Sequence, residues 1–572
     1  MPDDTVLLER HFDTAFAAPD GIQKLRELIL TLAMQGKLVP QDPNDQPASE
    51  LLRAIEAEKQ RLVKEGKIKQ SKPLTKIKLE EIPYELLKEW EWVRLEDVST
   101  KIHYGYTASA NHDLKDVRLL RITDIQDNKV DWESVPGCEI KEKDVTQYLL
   151  ANKDILIART GGTVGKSYLV ENISVKAVFA SYLIRVVPSE RIDVNYLKLF
   201  IECPLYWKQL YAKCSGTGQP NVNGTSLSTL LLPLPPLAEQ HRIVTKIDRL
   251  MARCDELEKL RADRNQKRIT IHTAALDRLL TAKESSDFST AWRFITQHFG
   301  ELYSVKENVV ELRKAILQLA VMGKLVDQDQ NDDQASDLLN KIRTQVNDLV
   351  RQRKERIVGF EPINVEDETF PLPENWLWVR LGSLLRNLRY GTSKKCAYDS
   401  PGTAVLRIPN IDVDNGRIHI DDLKYTNLFG SELQELYLKP NDLLMIRSNG
   451  SKSLVGRTAV VSETEEGLAY AGYLVRLRSF PECVYSRYLC FALSTVFVRE
   501  QIERPIRTTS GVKNINSTEI SNLVIPFPPL AEQRRIVAKT DQLMALCDRL
   551  EQQIDAATSK RTELLKALMA QV

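Results

Sequence analysis

The residues best suited to chemistry lie in polar loops that occur twice along the chain. An arginine follows a strand-like apolar run in each half, in ARTGGTVGKS (residues 158–167) and in RSNGSKSLVGRT from Arg447. An Asn-x-Asn pair recurs farther on, from Asn221 and from Asn514. Arginine and lysine bind phosphates and guanine edges, and asparagine binds adenine edges, so these loops suit nucleic-acid recognition. Many such amide and hydroxyl side chains instead cap turns through their own backbone.

The first loop also looks like a phosphate-binding loop, but one required glycine is missing. A P-loop needs glycine five residues before its Gly-Lys pair, and Thr160 occupies that position. In the second half the loop is longer, and Arg457 stands where the first half has Lys166. We therefore expect tight loops whose basic side chains face DNA, not a nucleotide site.

Motifs for catalysis on DNA are absent or weak. A self-contained DNA methyltransferase needs an Asn/Asp-Pro-Pro-aromatic tetrad, whereas the Pro-Pro pairs at Pro235 and Pro528 follow Leu and Phe and precede Leu. Glu139 to Lys141 fits a loose acid-x-Lys nuclease pattern with Asp131 upstream, but the second half has no counterpart. The seven histidines show no HExxH or paired ligand spacing. We predict no catalytic residue, no cofactor and no metal site in this chain.

The elements that position these loops follow one plan used twice. Residues 25–55 align without a gap with residues 312–342, and both segments predict a helix that ends at a glycine before a polar loop and a second helix. WEWVRL from Trp90 then aligns with WLWVRL from Trp376. Short alternating runs with Gly, Asn, Asp and Ser between them predict a mixed domain of about 140 residues in each half.

A Pro-rich segment and a long helix close each half. The 26 residues from Pro233 and the 26 from Pro526 share 19 identical positions, including PPLAEQ. Apolar positions then recur at alternating steps of four and three, which is the heptad pattern of a helix that packs lengthwise on another helix. The seam that we predict to pair the helices and bind partners comprises Ile243, Leu250, Leu257, Ile536, Leu543 and Leu550. Beyond three arginines, we expect the first seam to resume at Ile271 and Ala275.

Composition limits the remaining possibilities. The 572 residues include 79 basic and 78 acidic side chains, so a DNA-facing surface must be local. Eight scattered cysteines without a CxxC pair indicate reduced thiols of a cytoplasmic protein. No apolar run approaches the roughly 20 residues of a membrane span, and the acidic start is no signal peptide.

This duplicated plan resembles the specificity subunits of Type I restriction–modification systems. The resemblance rests on LPLPPLAEQHRIV and IPFPPLAEQRRIV, the paired W.WVRL segments and the duplicated LR..IL.LA..GKLV helices, and it extends from about His11 to the C-terminus. It implies an α+β fold with a pseudo-twofold internal repeat, in which two similar α/β target recognition domains are joined by two long antiparallel coiled-coil helices. The block from His11 to Val39 would supply what the C-terminus lacks, so we expect neighbouring termini.

The resemblance also implies domain bounds. We expect an N-terminal helical segment (residues 1–82), a first target recognition domain (83–235), a central long helix with a helical pair and linker (236–370), a second target recognition domain (371–528) and a C-terminal long helix (529–572).

The implied function is recognition of a bipartite DNA target, one half-site per recognition domain. The chain would be non-catalytic, would bind double-stranded DNA and would dock two modification subunits on its helical spacer. Those partners would bind S-adenosylmethionine, and two ATP-dependent restriction subunits are left open as further partners. The alternatives are a self-contained DNA methyltransferase or nuclease, and a two-armed scaffold that binds only proteins.

The DNA-binding candidates lie in loops whose exposed polar groups can reach a groove. In the first domain they are Tyr104, Thr107, Arg159, Thr160, Lys166, Gln219, Asn221 and Asn223. In the second domain they are Tyr390, Thr392, Lys394, Arg447, Asn449, Lys452, Lys513, Asn514 and Asn516. The target bases and the gap between half-sites do not follow from the sequence.

Overall fold

The chain divides into two compact units, each with one helical pair and one β-rich domain. The computed structural model describes residues 13–70, 74–215, 220–352, 359–504, 507–509 and 512–570. Unit 1 comprises Met1–Asp263 with Ala557–Val572, and unit 2 comprises Arg264–Ala556. The C-terminal segment therefore belongs to the same unit as the N-terminal residues, as the cyclic order of the repeat predicts.

Helices frame both β-rich domains. Unit 1 contains Gly21–Met34, Ala48–Lys64, Glu142–Tyr148, Val194–Glu202, Pro204–Lys213 and Gly224–Ser228. Unit 2 contains Ser285–Gln297, Phe299–Leu302, Lys306–Val321, Ala335–Arg351, Gly430–Leu436, Ser486–Ser494, Val496–Glu503 and Ser517–Ser521. The first long helix is Leu237–Thr281, the second long helix is Leu530–Ala570, and each contributes residues to both units.

The first helix of each helical pair ends at a glycine, as the sequence predicts. Gly36 and Gly323 adopt positive φ angles of 71° and 68°. Glycine has no Cβ to oppose this left-handed conformation, which turns the chain out of the helix. The backbone N–H groups of the following residues, Lys37 and Lys324, donate back to the carbonyls of Leu32 and Leu319 at 2.9 and 3.0 Å.

A four-stranded antiparallel sheet is the largest sheet of the first domain. Its order is Ser99–Tyr104, Leu183–Pro188, Ile155–Ala158 and Ser167–Leu169. Glu91–Arg94 pairs with Leu231–Leu234, Arg118–Leu120 pairs in parallel with Ala177–Phe179, and Ile125–Gln126 pairs with Lys129–Val130. The first of these pairs joins the start of the domain to the strand that precedes the first long helix.

The second domain repeats this arrangement and adds strands. Its four-stranded sheet has the order Leu385–Tyr390, Leu474–Ser479, Leu443–Ile446 and Thr458–Val460. Lys424–Thr426, Thr403–Leu406 and Ala469–Tyr470 form a three-stranded sheet, and Ser448–Asn449, Val512–Asn514 and Arg507–Thr509 form another. Leu377–Arg380 pairs with Val524–Phe527, and Ile411–Asp412 pairs with Arg417–Ile418.

One strand in each four-stranded sheet separates two hydrophobic cores. Successive side chains of a strand point to opposite faces of the sheet. Ile155 and Ile157 accordingly enter the core that contains Trp90, whereas Leu156 and Ala158 enter a second core. In unit 2 the strand Leu443–Ile446 divides its side chains in the same way. Both faces are covered, which explains why these strands are continuously apolar.

Side chains of the repeated PPLAEQ.R and W.WVRL motifs attach the start of the first long helix to the rest of unit 1. We call this contact region the joint. The buried Trp90 indole donates a hydrogen bond to Glu239 Oε2 at 2.9 Å. Gln240 donates to the Pro235 carbonyl at 2.9 Å, and Arg242 forms an ion pair with Asp45. Burial raises the pKa of Glu239, and the hydrogen bond from the indole opposes that rise.

Unit 2 repeats the joint. Trp376 donates to Glu532 at 2.8 Å, Gln533 donates to the Pro528 carbonyl at 2.9 Å, and Arg535 forms an ion pair with an aspartate, Asp332. The PPLAEQ.R segment thus has one function in both halves. Its Glu, Gln and Arg side chains attach the start of a long helix to the adjoining domain and helical pair.

The heptad seams pack against the helical pairs. In unit 1 the seam residues Ile243 and Ile247 are buried, and Leu250 is half-buried, in the core that contains Ile29 and Ala33 of the helix Gly21–Met34. Arg26 of that helix also donates to the carboxylates of Asp255 and Glu258 at 2.7 and 3.1 Å. The helix Gly21–Met34 therefore lies along the first long helix.

In unit 2 both long helices contribute to one core. Ile536 is buried near the start of the second long helix, and Leu543 and Leu550 are half-buried farther along it. The last two share a cluster with Ala275 and Leu279 of the first long helix and with residues of Lys306–Val321. Ala275 of the first seam thus shares a core with the second seam and with a shorter helix, which the heptad pattern alone does not reveal.

Leu257 and Ile271, which the heptad pattern places on the seam, are not buried within the chain. Their side chains are 47% and 48% exposed, and His272 is buried in place of Ile271. A straight helix has 3.6 residues per turn, so its buried face drifts about 20° per heptad. Four heptads after Ile243, a strict heptad repeat leads to position 271, whereas four double turns of a straight helix lead nearly to position 272. The buried face follows the straight helix.

Candidate nucleic-acid interface

Each β-rich domain builds its candidate site on a Tyr-Gly pair at the end of a strand. Gly105 and Gly391 follow Tyr104 and Tyr390, the last residues of their strands. A Cβ atom on either glycine would lie 2.3 Å from two backbone carbonyl oxygens of the neighbouring segment. Only glycine permits this close approach, so it fixes where the preceding tyrosine projects.

An arginine from another loop stacks on each tyrosine. The guanidinium carbon of Arg159 lies 4.6 Å from the centroid of the Tyr104 ring, and that of Arg447 lies 4.3 Å from the Tyr390 ring. These distances are within the range of a cation–π interaction. The Tyr104 hydroxyl accepts a hydrogen bond from the Gly224 backbone N–H at 2.9 Å. The arginine thus covers one face of the Tyr104 ring, and the hydrogen bond holds its hydroxyl.

The Asn-x-Asn loop completes each cluster. In the first domain Val222 N–H donates to the Arg159 carbonyl at 2.9 Å, and Thr160 and Asn221 form an antiparallel bridge. In the second domain Ile515 N–H donates to the Arg447 carbonyl at 2.9 Å. Three loops that lie far apart in the sequence thus converge in each domain. We call them the first and the second Tyr–Arg cluster, defined by Tyr104 with Arg159 and by Tyr390 with Arg447.

Among the residues that the structure describes, neither guanidinium group has a hydrogen-bond partner. The Nε atoms of Arg159 and Arg447 are buried without a partner, and no other atom of either guanidinium donates to a residue that the structure describes. Other arginines with a buried, unpaired Nε, such as Arg118 and Arg476, use their terminal nitrogens in hydrogen bonds. A half-buried cation with free donors is typical of a site that binds an external acceptor.

His103, directly before Tyr104, does not add charge to the first cluster. Its ring lies against Phe179 and Tyr148, and Nδ1 lies 3.0 Å from the Tyr104 carbonyl oxygen. Burial, and then the nearby cations Lys101 and Arg185, lower the pKa of His103 to about 4. The imidazole is therefore neutral at neutral pH.

Comparison with known proteins identifies the family. A model described as the Type I restriction modification DNA specificity domain matches residues 87–264 and 373–558. The chain is 33% identical over 558 residues to the Type I restriction enzyme EcoAI specificity subunit of Escherichia coli, with 96% of this chain and 93% of the relative covered. It is 30% identical over 562 residues to the EcoEI specificity subunit of Escherichia coli, with the same coverage. The chain belongs to the Type I specificity subunits.

The solved structures similar to this specificity subunit include the HsdS subunit from Thermoanaerobacter tengcongensis. The sequence identity is 18%, the TM-score is 0.42, and the match covers 85% of this chain and 98% of that chain. The α+β class and the internal repeat, predicted from the sequence, are confirmed by the two matched family segments and by the duplicated sheets.

Several predicted DNA-binding residues of this specificity subunit remain accessible within or beside the clusters. Thr107 and Lys166 are exposed, and Thr160, Asn221, Lys452, Lys513 and Asn514 are partly exposed. Asn449 is partly exposed and accepts a hydrogen bond from the Ser451 backbone N–H at 2.8 Å. Gln219 lies outside the described residues. Their contact with DNA stays a prediction.

Four of the predicted residues have structural roles. Asn223 and Asn516 cap short helices by accepting from the backbone N–H groups of Ser226 and Glu519 at 2.8 and 2.9 Å. Thr392 is 7% exposed, and its hydroxyl accepts a hydrogen bond from the Lys394 backbone N–H at 3.1 Å. Lys394 remains half-exposed, but Glu432 forms an ion pair with it at 2.6 Å and offsets its charge.

The sequence interpretation missed one pair of residues in this specificity subunit. Tyr182 and Tyr473 expose most of their rings, and the backbone N–H groups of Arg159 and Arg447 donate to their carbonyls at 3.0 and 2.9 Å. The alignment of ASYLIRVVP with AGYLVRLRS carried the signal, because the tyrosine is shared. Because the tyrosine stands next to a strand-like apolar run, the sequence did not reveal that it lies in an exposed turn.

The described ranges show no sign of a metal site, a disulfide bond or a membrane span. Within them, no group of three or more His, Cys, Asp and Glu side chains lies close enough together to hold a metal ion. All eight cysteines are described and free of disulfide bonds. Among the described helices, none is long and apolar enough to cross a membrane.

Proposed function

We propose that this specificity subunit reads a bipartite DNA target, with one Tyr–Arg cluster at each half-site. The supporting observation is the duplicated stack of Arg159 on Tyr104 and of Arg447 on Tyr390, with donors that no described residue uses. A guanidinium can donate two parallel hydrogen bonds to guanine O6 and N7 or to a phosphate. The tyrosine beneath it holds the donors in a fixed orientation, which reduces the entropy lost on binding.

The loops around each cluster supply the selectivity. Thr160 and Asn221 lie beside Arg159, whereas Asn449, Lys513 and Asn514 are in the strands that follow Arg447. These sets offer different donors and acceptors, so the two domains read different base edges. Their shared framework gives both domains the same approach to a duplex.

The catalytic steps belong to partner subunits. The sequence lacks the tetrad of an adenine methyltransferase, and the S-adenosylmethionine is bound by the modification subunits. The relatives are specificity subunits of Type I restriction enzymes, which supports a complex of this chain with modification and restriction subunits. Two modification subunits match the internal repeat, because each half supplies one long helix.

The long helices carry the modification subunits. Leu257 and Leu260 of the first long helix are 47% and 57% exposed, and Leu546 of the second is exposed as well. Apolar side chains on a solvent-facing helix are typical of a partner interface. We place the complex in the cytoplasm, where cysteines remain reduced and DNA is accessible.

Domain exchange tests the proposal. Residues 91–232 are replaced by the same region of a related specificity subunit of known target, and methylated adenines are mapped in cells that also make both sets of modification subunits. We expect one half of the methylated sequence to change and the other half to stay the same, because each domain reads its own half-site.

The remaining outcomes contradict the proposal. A change in both halves or in neither, with the complex intact, means that the domains are not independent readers. A complex that binds DNA without dependence on sequence or salt supports the alternative of a protein-binding scaffold, since charge contacts to DNA weaken as salt rises.

A further inference from the structure

Two tyrosines expose their rings beside the Tyr–Arg clusters, and their side chains make no hydrogen bond or ring contact with a described residue. Tyr182 is 63% exposed and Tyr473 is 62% exposed. Most aromatic side chains are at least partly buried, because an aromatic ring in water forgoes a large hydrophobic gain. Two such rings at equivalent positions of a duplicated domain indicate a shared function.

The backbone around the two tyrosines is the same in detail. Each occupies the third position of a tight turn, in which the Leu183 N–H donates to Ala180 and the Leu474 N–H donates to Ala471, both at 2.9 Å. The carbonyl of each tyrosine accepts from the backbone N–H of the cluster arginine. The rings therefore project from a rigid point that is adjacent to the Tyr–Arg cluster in both domains.

The residue before the exposed tyrosine differs between the two turns, whereas the tyrosine is the same in both. Ser181 precedes Tyr182, whereas Gly472 precedes Tyr473, and the neighbouring polar loops also differ between the domains. The variable residues suit the reading of different half-sites. A residue that is the same in both domains suits a feature that all DNA sequences share.

We propose that Tyr182 and Tyr473 are sequence-independent DNA anchors, whose rings pack against the deoxyriboses of the DNA backbone beside the bases that the loops read. The proposal rests on the proposed function, since it presupposes that each cluster faces a duplex. Packing of an aromatic ring on a backbone deoxyribose tolerates any sequence, because every nucleotide of a duplex carries the same apolar sugar face. The stacked arginine provides the adjoining phosphate or base contact.

Tyr104 and Tyr390 cannot serve as these anchors. An arginine covers each of their rings, and the hydroxyl of each accepts a backbone hydrogen bond from Gly224 or Ser517. Tyr182 and Tyr473 have no described hydrogen bond or ring partner for their side chains. The four tyrosines thus divide into two that position an arginine and two that are available to a ligand.

The test uses the full complex with its modification subunits and fluorescently labelled duplexes. One duplex carries the target found by mapping methylated adenines, and two others have one half-site scrambled. Tyr182→Ala and Tyr473→Ala are each compared with the corresponding Tyr→Phe variant, which retains the ring. Trp292→Ala serves as the control, because Trp292 is 49% exposed on the helix Ser285–Gln297, outside both β-rich domains.

We expect each alanine variant to bind all three duplexes about tenfold more weakly, which is typical of the loss of one aromatic–nucleotide contact. The ratio of target to scrambled affinity stays within about twofold of the unmodified value, since an anchor does not discriminate bases. The phenylalanine variants and the Trp292 control bind like the unmodified complex. Circular dichroism and subunit stoichiometry verify that each variant folds and assembles.

Each contrary result has a distinct meaning. Unchanged affinity in both alanine variants overturns the anchor. A selective loss for the target duplex shows base reading and overturns sequence independence, and an equal loss in the Trp292 control overturns the assignment to this turn. If the unmodified complex fails to prefer the target duplex, the proposed function fails before the anchor is tested.

Discussion

The two β-rich domains share a frame, which consists of the Tyr–Arg cluster and the adjoining turn, and they differ in the loops around it. Both place an arginine on a tyrosine, and both expose a second tyrosine at the adjoining turn. In the first domain the described parts of the Arg and Asn loops form an isolated bridge between Thr160 and Asn221. In the second domain the corresponding loops form a three-stranded sheet. The frame is thus constant, while the pairing and composition of the loops vary.

This difference separates two tasks of a DNA reader. A bipartite target requires the same position of two domains on a duplex but different base contacts in each. Residues fixed by backbone geometry, such as Gly105 and Gly391, preserve position. Loop residues such as Asn221 and Lys513 can vary, because the strands beneath them do not depend on their side chains. Duplication followed by divergence of the loops yields two specificities from one fold.

The largest expected effect follows removal of the indole at each joint. Trp90→Ala and Trp376→Ala leave a cavity and remove the hydrogen-bond donor of a buried glutamate, so we expect a loss of about 3–5 kcal/mol in the free energy of unfolding. Urea unfolding followed by circular dichroism measures it. Trp292→Ala is the control, with an expected change within about 0.5 kcal/mol. A loss confined to one joint variant would show that the two joints are not equivalent.

A smaller effect follows an added methyl group beside the cluster. In Gly105→Ala and Gly391→Ala, the new Cβ would lie 2.3 Å from two carbonyl oxygens, so the strand end must shift at a cost of about 1–3 kcal/mol. We expect weaker binding at the half-site read by the altered domain, measured as the rate of methylation of that half-site.

Gly162→Ala and Gly450→Ala are matched controls for these variants. Both glycines lie in the loop after the cluster arginine, and an added Cβ meets no atom within 4 Å. We expect methylation rates within about twofold of the unmodified complex. Equal losses in the controls would locate the effect in loop flexibility instead of in the Tyr-Gly backbone.

Much of the frame could be predicted from the sequence, because short local sequence patterns determine it. Gly36 ends its helix as predicted, and the loops of Tyr104, Arg159 and Asn221, which the sequence offered as separate candidates, lie together. The errors came from contacts between distant residues. Glu432 lies 38 residues beyond Lys394 and forms an ion pair with it, which no local pattern reveals.

The heptad seam shows a different limit of prediction from the sequence. A heptad pattern gives the residues that can be buried but not the helix that covers them, and here the helices Gly21–Met34 and Lys306–Val321 share that role. The exposed tyrosines show a third limit. A tyrosine at the start of a strand-like run is indistinguishable from a core residue until the turn that projects it is known.

The smallest expected effect follows removal of the hydroxyl group of each cluster tyrosine, which contacts a short helix. The hydroxyls of Tyr104 and Tyr390 accept from the first backbone N–H groups of the helices Gly224–Ser228 and Ser517–Ser521, at 2.9 and 2.8 Å. Tyr→Phe removes the hydroxyl and leaves the ring under the arginine, so we expect a loss of about 1 kcal/mol at most. Hydrogen–deuterium exchange of peptides that contain these helices measures the effect.

The loss should be greater in the first domain than in the second. The second short helix has a capping box, in which Glu519 accepts from the Asn516 backbone N–H at 2.9 Å, whereas Ser226 occupies the corresponding position of the first helix. Two reciprocal caps hold the helix start without the tyrosine hydroxyl. We therefore expect Tyr104→Phe to accelerate exchange about fivefold and Tyr390→Phe to accelerate it less. The opposite order would mean that the hydroxyl, and not the capping box, determines the stability of the second short helix.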